Sequence, residues 1–356
     1  MNTCLDLAIL GLNKTKTNPL VGCVIVYNKE IVSSGYHEKY GGPHAESNAI
    51  NNLKKSNPSN YKTILKNSTI YINLEPCSHY GKTPPCAELI IKYKIKQVVI
   101  GTLDPFKKVN GSGIQKLQKY SKVLVGVNQE KCLKVNKKYF INQKLSRPYI
   151  VLKWAESKDG FISDSSKEIT KISGEKSIKL SHEWRSEIDA IMVGTNTVLF
   201  DNPQLTNRMS IGNNPIRVTI DRKNKLNHKK WNIMNGDAET IILNEKKSIK
   251  KDNIYYLDYR QSGNETLNSD QKKMANIMEV LYQNSITSIL IEGGSIILNN
   301  LITQGLWDEA RIFVSKNKLY QGVRAPEIEY KEKSHMVRES GEDLLYLMEN
   351  KNELII

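Results

Sequence analysis

The first 145 residues alternate short apolar runs with segments whose apolar positions recur at helical spacing. Residues 21–27 and 69–74 are apolar and rich in β-branched side chains, which predicts buried strands. Residues 45–53 carry an apolar stripe typical of one helix face. The same alternation predicts a helix at 87–93, led by a Pro-Pro pair, and strands at 98–102 and 123–127. Strands separated by helices favour an α/β layer with at least partly parallel pairing.

The alternation starts again after a break near residues 144–148. A polar, helix-like stretch at 132–143 precedes Arg147-Pro148, and proline disfavours a helix before it. Strands are predicted at 149–154, 190–193, 216–220, 240–243, 286–291 and 310–314. We interpret the polar segments 246–253 and 261–273 as loops or helix edges. The sequence therefore predicts two α/β domains, residues 1–145 and 147–356, with no internal repeat relating them.

Length and composition agree with two soluble domains. The chain has 356 residues, enough for two cores, and no apolar run of 18 residues that would indicate a membrane helix. Its first twenty residues lack the basic-then-apolar order of a signal peptide. An odd number of cysteines, five, argues against a disulfide framework. These features together predict a cytoplasmic protein with no membrane partner.

The net charge of +15 raises the question of a polyanionic partner. The lysines are spread along the chain, however, and no dense basic tract with interleaved aromatic residues is present. We therefore expect no nucleic-acid partner. A small anionic substrate needs only a few of these charges.

Four residues in the first half form a candidate metal and proton-transfer site. His44 and Glu46 open the predicted helix, Cys77 follows the second strand, and Cys86 follows Pro84-Pro85. One imidazole and two thiolates suit zinc and leave a fourth position for water, the arrangement of a catalytic site. His44 and Cys86 both stand where a helix is predicted to begin, and the helix dipole there would favour the thiolate form of the cysteines.

Glu46 gives this pattern its chemistry. A carboxylate two residues from a zinc ligand can accept the proton of an activated water and return it to a ring nitrogen and a leaving amine. His-x-Glu followed by Pro-Cys is the pattern of zinc nucleobase deaminases. The alternatives are a structural zinc site or unrelated cysteines, but four elements in this order favour the catalytic interpretation.

The spacing of the two cysteines indicates a particular family. Nucleobase deaminases usually have Cys-x-x-Cys, whereas eight residues separate Cys77 from Cys86 in the segment EPCSHYGKTPPC, residues 75–86. This segment resembles the deaminase half of the RibD family of riboflavin biosynthesis enzymes. Further matching segments over residues 1–145 are NPLVGC (18–23), GYH (35–37), PHAE (43–46), DP (104–105) and GSG (111–113).

The resemblance implies a cytidine-deaminase-like α/β/α domain that deaminates 2,5-diamino-6-ribosylamino-4(3H)-pyrimidinone 5′-phosphate. It implies zinc ligation by His44, Cys77 and Cys86 and proton transfer by Glu46. It also places four residues at substrate-contact positions: Asn18, His37, His79 and Lys82. Physically, the Asn18 amide suits a pyrimidine edge, and Lys82 suits a phosphate as a point charge.

The second half offers less chemistry of its own. Residues 289–291 predict a strand that runs into Gly293-Gly294 and then an apolar helix. Such a turn lets a phosphate approach the backbone at a helix start, but it fits an ordinary strand-to-helix connection equally well. It is not the Gly-x-Gly-x-x-Gly fingerprint, so a Rossmann fold is unsupported.

Resemblance to the RibD family extends over roughly residues 147–350. The matching segments are KWAESKDG (153–160), EWR (183–185), DAIMVG (189–194), TVLFDNPQLTNR (197–208), IRVTID (216–221) and EGG (292–294). They imply a dihydrofolate-reductase-like α/β domain that uses NADPH to reduce the ribosyl group of the deaminated product to a ribityl chain.

The same resemblance implies two sets of residues in this half. Those at nucleotide-binding positions are Ala155, Thr197, Asp201, Gly294, Ser295, Ile296, Ile297, Leu298, Asn299 and Asn300. Those at substrate positions are Arg185, Leu205, Arg208 and Glu292. Two arginines suit a clamp on the ribose 5′-phosphate, because a guanidinium binds phosphate through two hydrogen bonds. We hypothesise that Asp201 also assists proton transfer as hydride reaches C1′.

One segment departs from the family pattern. The family commonly has Ser-x-Trp-Ile-Thr/Ser-Ser, whereas residues 169–174 read ITKISG, with Lys171 at the tryptophan position. Lys171 could favour the 2′-phosphate of NADPH, or cofactor binding could be weaker. Two alternatives stay open: an active deaminase with a decayed reductase, and an RNA or nucleoside deaminase with an accessory domain. We expect a homo-oligomer, as is usual for such enzymes.

Overall fold

A computed structural model describes residues 1–81, 84–164, 170–223, 225–226, 230–246, 248–261, 270–328 and 335–350. These residues form two compact units, residues 1–145 and residues 146–350. In the described part of the chain, no helix is long and apolar enough to cross a membrane.

The first unit is built around a five-stranded sheet with helices on both faces. Its elements in chain order are α1 (Asn2–Ile9), β1 (Gly22–Tyr27), β2 (Glu30–Tyr36), α2 (Ala45–Ser56), α3 (Tyr61–Lys66), β3 (Thr69–Leu74), α4 (Cys86–Lys92), β4 (Gln97–Thr102), α5 (Ser112–Gln118), β5 (Lys122–Val125), α6 (Gln129–Val135) and α7 (Lys137–Leu145). The strand order is β2-β1-β3-β4-β5. β1 pairs antiparallel with β2 and β3, and β3, β4 and β5 are parallel.

Side-chain alternation along the strands sends apolar residues to both faces of this sheet. On one face, Ile25 and Ile72 pack with Ala49 and Leu53 of α2 and with Ile90 of α4 in one buried cluster. On the other face, α1 contacts β1 and α6 contacts β4. Both faces are thus covered, as the predicted α/β/α layering requires.

The carboxyl ends of the parallel strands and the start of α2 meet at one edge. β3 ends at Leu74 just before Glu75-Pro76-Cys77, and β4 ends at Thr102 just before Asp104. Ligand sites in open α/β sheets lie outside the carboxyl ends of strands. This edge therefore carries the predicted chemistry of the first unit.

The second unit is built around a ten-stranded mixed sheet. Its elements are β6 (Tyr149–Glu156), β7 (Phe161–Ser163), α8 (Glu175–Glu187), β8 (Ala190–Gly194), α9 (Thr195–Asp201), β9 (Ile216–Ile220), β10 (Thr240–Asn244), β11 (Ile249–Lys251), β12 (Ile254–Asp258), α10 (Asp270–Gln283), β13 (Ser288–Ile291), α11 (Ser295–Thr303), β14 (Glu309–Val314), β15 (Val323–Arg324), β16 (His335–Ser340) and β17 (Asp343–Glu349).

The strand order of the large sheet is β11-β12-β10-β9-β8-β13-β6-β14-β17-β16. The seven central strands, from β12 to β14, are parallel, and β11, β17 and β16 are antiparallel additions at the edges. β7 and β15 form a separate two-stranded sheet. The central strands are nearly continuous in apolar residues because helices cover both faces of a parallel sheet.

The predicted fold class is confirmed for both units, with one local error. The segment 246–253, interpreted as loop or helix edge, contains the edge strand β11. All three residues of β11 are exposed, so its polar sequence shows no buried strand pattern. Antiparallel pairing with β12 is what identifies this segment as a strand. The segment 261–273 contains the start of α10 at Asp270, and residues 262–269 lie outside the described residues.

Candidate active sites

His44, Cys77 and Cys86 converge at the carboxyl edge of the first sheet. The ligand atoms of the three residues all lie within 4.8 Å of one another. His44 Nδ1 is 3.5 Å from Cys77 Sγ and 3.4 Å from Cys86 Sγ. Zinc bonds of about 2.0–2.3 Å at tetrahedral angles place nitrogen and sulfur ligands about 3.5 Å apart. The three side chains therefore have the spacing of zinc ligands, with Nδ1 as the imidazole donor.

Local structure delivers each of these side chains to the cluster. His44 precedes α2 in an extended conformation, and Cys86 is the first residue of α4. The backbone N–H of Cys86 donates to Cys77 Sγ at 3.3 Å. Hydrogen bonding to the Cys86 thiol is the largest cause that lowers the pKa of Cys77 to about 4. The cluster therefore favours a thiolate at Cys77, the form that binds a metal.

Glu46 lies in the first turn of α2 beside this cluster. Its side chain is almost completely buried. Burial raises the pKa of the Glu46 carboxyl. A buried carboxylate with a raised pKa is suited to take up and give back a proton near neutral pH.

A cavity of about 360 Å³ opens over the cluster. Its lining includes the predicted residues Asn18, His37, His44, Glu46, Cys77 and His79, together with Asp104, Phe106 and Tyr139. The volume falls within the usual range of small-molecule sites. Sequence reasoning did not assign Asp104 a role, although its Asp-Pro motif was noted, and it missed Phe106 and Tyr139. Phe106 and Tyr139 reach the cavity only because their segments meet there in the fold, and no local sequence pattern indicates such a meeting.

Hydrogen bonds fix the orientation of Asn18. His37 Nδ1 is 3.0 Å from the carbonyl oxygen of Pro43, and His37 Nε2 is 3.0 Å from Asn18 Nδ2. A carbonyl only accepts, so Nδ1 carries the proton and Nε2 accepts from the asparagine amide. Burial lowers the pKa of His37, which keeps this neutral tautomer. The Asn18 carbonyl oxygen is thereby turned away from His37 and can accept from a ligand.

His79 also lines the cavity, and in the sequence it lies between the two cysteines. Its ring packs edge-on against Phe106 with centroids 5.5 Å apart. His79 Nδ1 is buried and has no hydrogen-bond partner among the residues that the structure describes. A buried polar atom of this kind requires a partner, which a bound substrate can supply. Lys82, predicted to contact the phosphate, lies outside the described residues.

In the second unit, Arg185 of α8 and Glu292 at the end of β13 form a two-bond ion pair. Arg185 Nε donates to Glu292 Oε1 at 2.9 Å, and Nη2 donates to Oε2 at 2.7 Å. Arg185 Nη1 also donates to the carbonyl oxygen of Thr206 at 3.1 Å. Both side chains of the ion pair are nearly buried. Two residues that were each predicted to contact substrate are therefore bonded to each other.

Two more residues belong to the cluster around the Arg185–Glu292 ion pair, and neither was assigned a role from the sequence. Lys153 of β6 is influenced by the charges of Glu292 and Arg185, and burial lowers its pKa. Its signal in the sequence is a lysine within the otherwise apolar run of β6. Burial, followed by the charges of Arg185 and Arg208, lowers the pKa of His182 to about 4.

His182 also fixes the backbone of Arg208. The backbone N–H of Arg208 donates to His182 Nδ1 at 3.1 Å, so the neutral imidazole carries its proton on Nε2. The Arg208 side chain is exposed and donates from Nη1 to Thr206 Oγ1 at 3.0 Å. Leu205, the remaining predicted substrate residue, is buried and has a positive φ of 56°.

The glycine turn after β13 meets the turn after β8. Gly294 has φ +78°, and a Cβ there would lie 3.5 Å from Thr197 Oγ1. A Cβ on Gly194 would lie 3.1 Å from Ile297 Cδ1. The starts of α9 and α11 thus lie close together at the carboxyl ends of parallel strands, where backbone N–H groups suit a phosphate. This geometry fits the nucleotide site that the resemblance implies.

The other residues predicted at nucleotide positions differ in exposure. Ile297 and Leu298 are buried in the core, so their side chains face away from any ligand in solvent. Four predicted polar residues are exposed: Lys171, Asp201, Asn299 and Asn300. Ile296 is also exposed, at 66%. Ser295 and Thr197 are half-buried, and Ala155 lies near the end of β6.

Family models match both units. Residues 1–102 match the cytidine and deoxycytidylate deaminase zinc-binding region, and residues 148–315 match the RibD C-terminal domain. Riboflavin biosynthesis protein RibD of Aquifex aeolicus is 32% identical over 97% of this chain and 96% of its own length. RibD of Synechocystis is 35% identical over 92% of this chain and 86% of its own length.

Solved structures agree over the whole chain. A deaminase/reductase from Thermotoga maritima, named for diaminohydroxyphosphoribosylaminopyrimidine and 5-amino-6-(5-phosphoribosylamino)uracil, superposes with a TM-score of 0.81 at 32% identity. The match covers 98% of this chain and 97% of that one. Acinetobacter baumannii RibD gives a TM-score of 0.79 at 28% identity, with 98% and 97% coverage.

Proposed function

The chain belongs to the RibD family of riboflavin biosynthesis proteins, and from that premise we propose which residues carry its two reactions. It is a bifunctional enzyme, with a zinc-dependent deaminase unit followed by an NADPH-dependent reductase unit. An RNA or nucleoside deaminase with an accessory domain is not favoured, because RibD relatives match this chain over both halves.

We propose that the first unit deaminates 2,5-diamino-6-ribosylamino-4(3H)-pyrimidinone 5′-phosphate. The observation that carries this assignment is the cluster of His44, Cys77 and Cys86, with buried Glu46 beside it in one cavity. The donor set and the 3.4–3.5 Å spacings fit zinc, held by these three residues. When bound, the metal supplies Lewis acidity that makes water a nucleophile near neutral pH.

Glu46 carries the proton in this reaction. Its carboxylate accepts a proton from the attacking water, and the ring nitrogen next to the reacting carbon receives it. A second proton transfer through Glu46 releases the exocyclic amine as ammonia and leaves a carbonyl. Burial supports this role, because it raises the pKa of the Glu46 carboxyl and so makes its protonated form easier to reach during the reaction.

Asn18 orients the pyrimidine. Its amide nitrogen is bonded to His37, so its carbonyl oxygen is the atom presented to substrate. An acceptor at this position selects a pyrimidine edge that offers an N–H or amino group. His79 Nδ1 provides a second polar contact on the Phe106 side of the cavity.

We propose that the second unit reduces the ribosyl group of the deaminated product to give 5-amino-6-ribitylamino-uracil 5′-phosphate. NADPH, held at the adjoining starts of α9 and α11, supplies the hydride. Arg208 binds the 5′-phosphate, because the Arg185 guanidinium is already paired with Glu292. Glu292 and Arg185, held together by two hydrogen bonds, line the sugar end of the site.

The proton that completes the reduction has two candidate sources. Asp201 is the hypothesis from the sequence, and its side chain is exposed at the end of α9. Lys153 is the alternative, because it is half-buried in β6 and close enough to Glu292 and Arg185 for their charges to influence its pKa, which burial lowers. Asp201→Asn and Lys153→Met variants distinguish them: the donor's variant loses hydride transfer at saturating NADPH and substrate, and the other does not.

Product analysis with and without NADPH tests both assignments. The wild-type enzyme is expected to release ammonia from the diaminopyrimidine without NADPH, and to oxidise one NADPH per molecule of product when the cofactor is added. Absence of ammonia release would overturn the deaminase assignment. Absence of NADPH oxidation with the deaminated intermediate would favour a decayed reductase.

Small pyrimidines are the substrates of this enzyme class, and we propose four finer properties of this protein. The substrates are phosphorylated, which Arg208 supports. The protein acts in the cytoplasm, which its five unpaired cysteines support. It forms a homo-oligomer and binds no nucleic acid. The edge strand β16 supports oligomer formation, since Met336 and Val337 are 63% and 43% exposed. Light scattering at several protein concentrations tests the oligomer.

A further inference from the structure

Glu75, two residues before the metal-binding cysteine Cys77, is a buried carboxylate with four backbone N–H partners. Its Oε2 accepts from Asp104 at 3.2 Å and from Gly111 at 2.9 Å. Its Oε1 accepts from Gly113 at 2.9 Å and from Ile114 at 3.2 Å. The first and last of these donors are ten residues apart, so one side chain holds a whole segment, residues 104–114.

This segment forms one wall of the deaminase cavity. Asp104, Phe106 and Val109 line the cavity, and Glu75 itself reaches it. Phe106 packs against His79, whose Nδ1 has no partner in the described part of the chain. The position of Phe106 therefore determines where the His79 ring can lie.

A second connection ties the same segment to the chain that carries His79. Ser78 Oγ and Ser112 Oγ are 2.5 Å apart, and Lys116 Nζ donates to the Ser78 carbonyl oxygen at 3.0 Å. Helix α5, which starts at Ser112, thus contacts the chain on either side of Cys77. Glu75 holds the start of α5 from one side, and Ser78 holds it from the other.

The start of α5 packs so closely against Pro76 and Glu75 that there is no room for a side chain at Gly113. A Cβ on Gly113 would lie 2.2 Å from the Pro76 carbonyl oxygen and 3.1 Å from Glu75 Oε1. Gly111 has φ +88°, a conformation that glycine adopts without strain. The carboxylate also lies at the start of α5, where N–H groups lack partners in the helix and favour an anion.

We propose that Glu75 is a positioning residue of the deaminase, which holds the Asp104–Phe106 wall against His79 and so fixes the substrate pocket. It touches neither the metal nor the reacting atoms in this role. A neutral amide cannot replace it, because the amide nitrogen is a donor and would leave two buried N–H groups without an acceptor. The inference rests on the proposed deaminase assignment of this cavity.

The test compares Glu75→Gln with wild type in the full-length, zinc-loaded enzyme. We expect kcat/KM for deamination to fall about 10- to 100-fold, mostly through a higher KM, because small displacements in a site are costly. Zinc content is expected to stay at one per chain. Reductase kinetics, measured with the deaminated intermediate in the same preparation, should not change.

Two further variants complete the design. Glu130→Gln is the matched control, because Glu130 is also a carboxylate in the first turn of a helix but is exposed; its kinetics should equal wild type. Gly113→Ala leaves Glu75 intact and pushes the segment away from Pro76. It should reproduce the higher KM, and it decides the question if Glu75→Gln gives no soluble protein.

Three outcomes would overturn the inference. One is a Glu75→Gln enzyme whose deamination KM and kcat lie within about two-fold of wild type. Another is loss of zinc together with activity, which would make Glu75 a support of the metal loop instead of the pocket wall. The third is unchanged KM in Gly113→Ala. A wild-type enzyme that fails to deaminate would instead overturn the proposed function.

Discussion

Arg185 and Glu292 are 107 residues apart in sequence, yet they form two parallel hydrogen bonds of 2.9 and 2.7 Å. The sequence indicates each of them separately as a substrate contact, with Arg185 as half of a phosphate clamp. Since the pair satisfies both carboxylate oxygens and two guanidinium nitrogens, Arg185 is committed to Glu292. Arg208 is then the arginine of this cluster that is exposed to a phosphate.

Arg208→Gln tests this division of roles. We expect the KM for the phosphorylated reductase substrate to rise about 10- to 100-fold. The reason is the loss of a charged hydrogen bond, which contributes about 1.5–3 kcal/mol. KM for the dephosphorylated analogue should be little changed, because that molecule makes no contact with the lost charge. An equal rise in KM for both substrates would contradict a phosphate-binding role.

Glu292→Gln should destabilise the reductase unit. Removal of one partner leaves the nearly buried Arg185 cation unpaired, which costs about 3–5 kcal/mol. Urea unfolding followed by fluorescence measures the change. Arg222→Gln is the control, since Arg222 is 51% exposed in its ion pair with Glu245, and such pairs contribute about 0–1 kcal/mol. Similar losses in both variants would contradict the special role of the buried pair.

The free energy of unfolding of the reductase unit should depend on pH through the Glu292 carboxyl. Burial alone would raise the pKa of Glu292, but Arg185 and Lys153 outweigh it and hold the pKa at about 2. The folded pKa thus lies below the ordinary value of 4.5, so the folded state gains stability from this group above pH 4.5. That contribution is lost as pH falls from 4.5 to 2. The stability gap between wild type and Glu292→Gln should narrow over this range and stay constant above it.

Glu46→Gln should slow deamination strongly and selectively. Loss of a general acid–base group costs about 10²- to 10⁴-fold in kcat. Zinc content and NADPH oxidation should be retained, because Glu46 is outside the ligand set and outside the reductase unit. Removal of zinc with a chelator should produce the same kinetic pattern. A deamination kcat within about ten-fold of wild type in either case would contradict the proposed mechanism.

Lys171→Ala tests whether this departure from the family pattern serves the cofactor. Lys171 is exposed, so it is free to meet the 2′-phosphate of NADPH. In that case KM for NADPH should rise about 10-fold, and KM for NADH should not change, because NADH lacks this phosphate. Unchanged KM for both cofactors would show that Lys171 has no contact with the nucleotide.

Much of the chemistry could be predicted from the sequence because it depends on residue types at short spacing. His44 and Glu46 stand two residues apart at a helix start, and the strand that leads to Cys77 is short, mostly buried and rich in isoleucine and leucine. These local patterns determine which side chains share an element and which end of it they occupy. The central strands of both sheets are recognisable for the same reason, since their buried positions are continuous.

Exposed and edge elements were not predictable in this way. β11 is exposed at every position, and only its pairing with β12 makes it a strand. A strand at a sheet edge gains its hydrogen bonds from one neighbour, so its own sequence carries little of the information.

Only the tertiary structure decided which distant groups pair. Arg185 with Glu292, and Glu75 with the backbone from Asp104 to Ile114, are brought together by strands and helices that lie far apart in sequence. The sequence indicated the candidate zinc ligands, the proposed proton carrier and the two α/β units, because local periodicity and spacing encode them. The partners of each buried charge depend on packing, because a buried charge takes whichever opposite charge or N–H group the fold places within bonding distance.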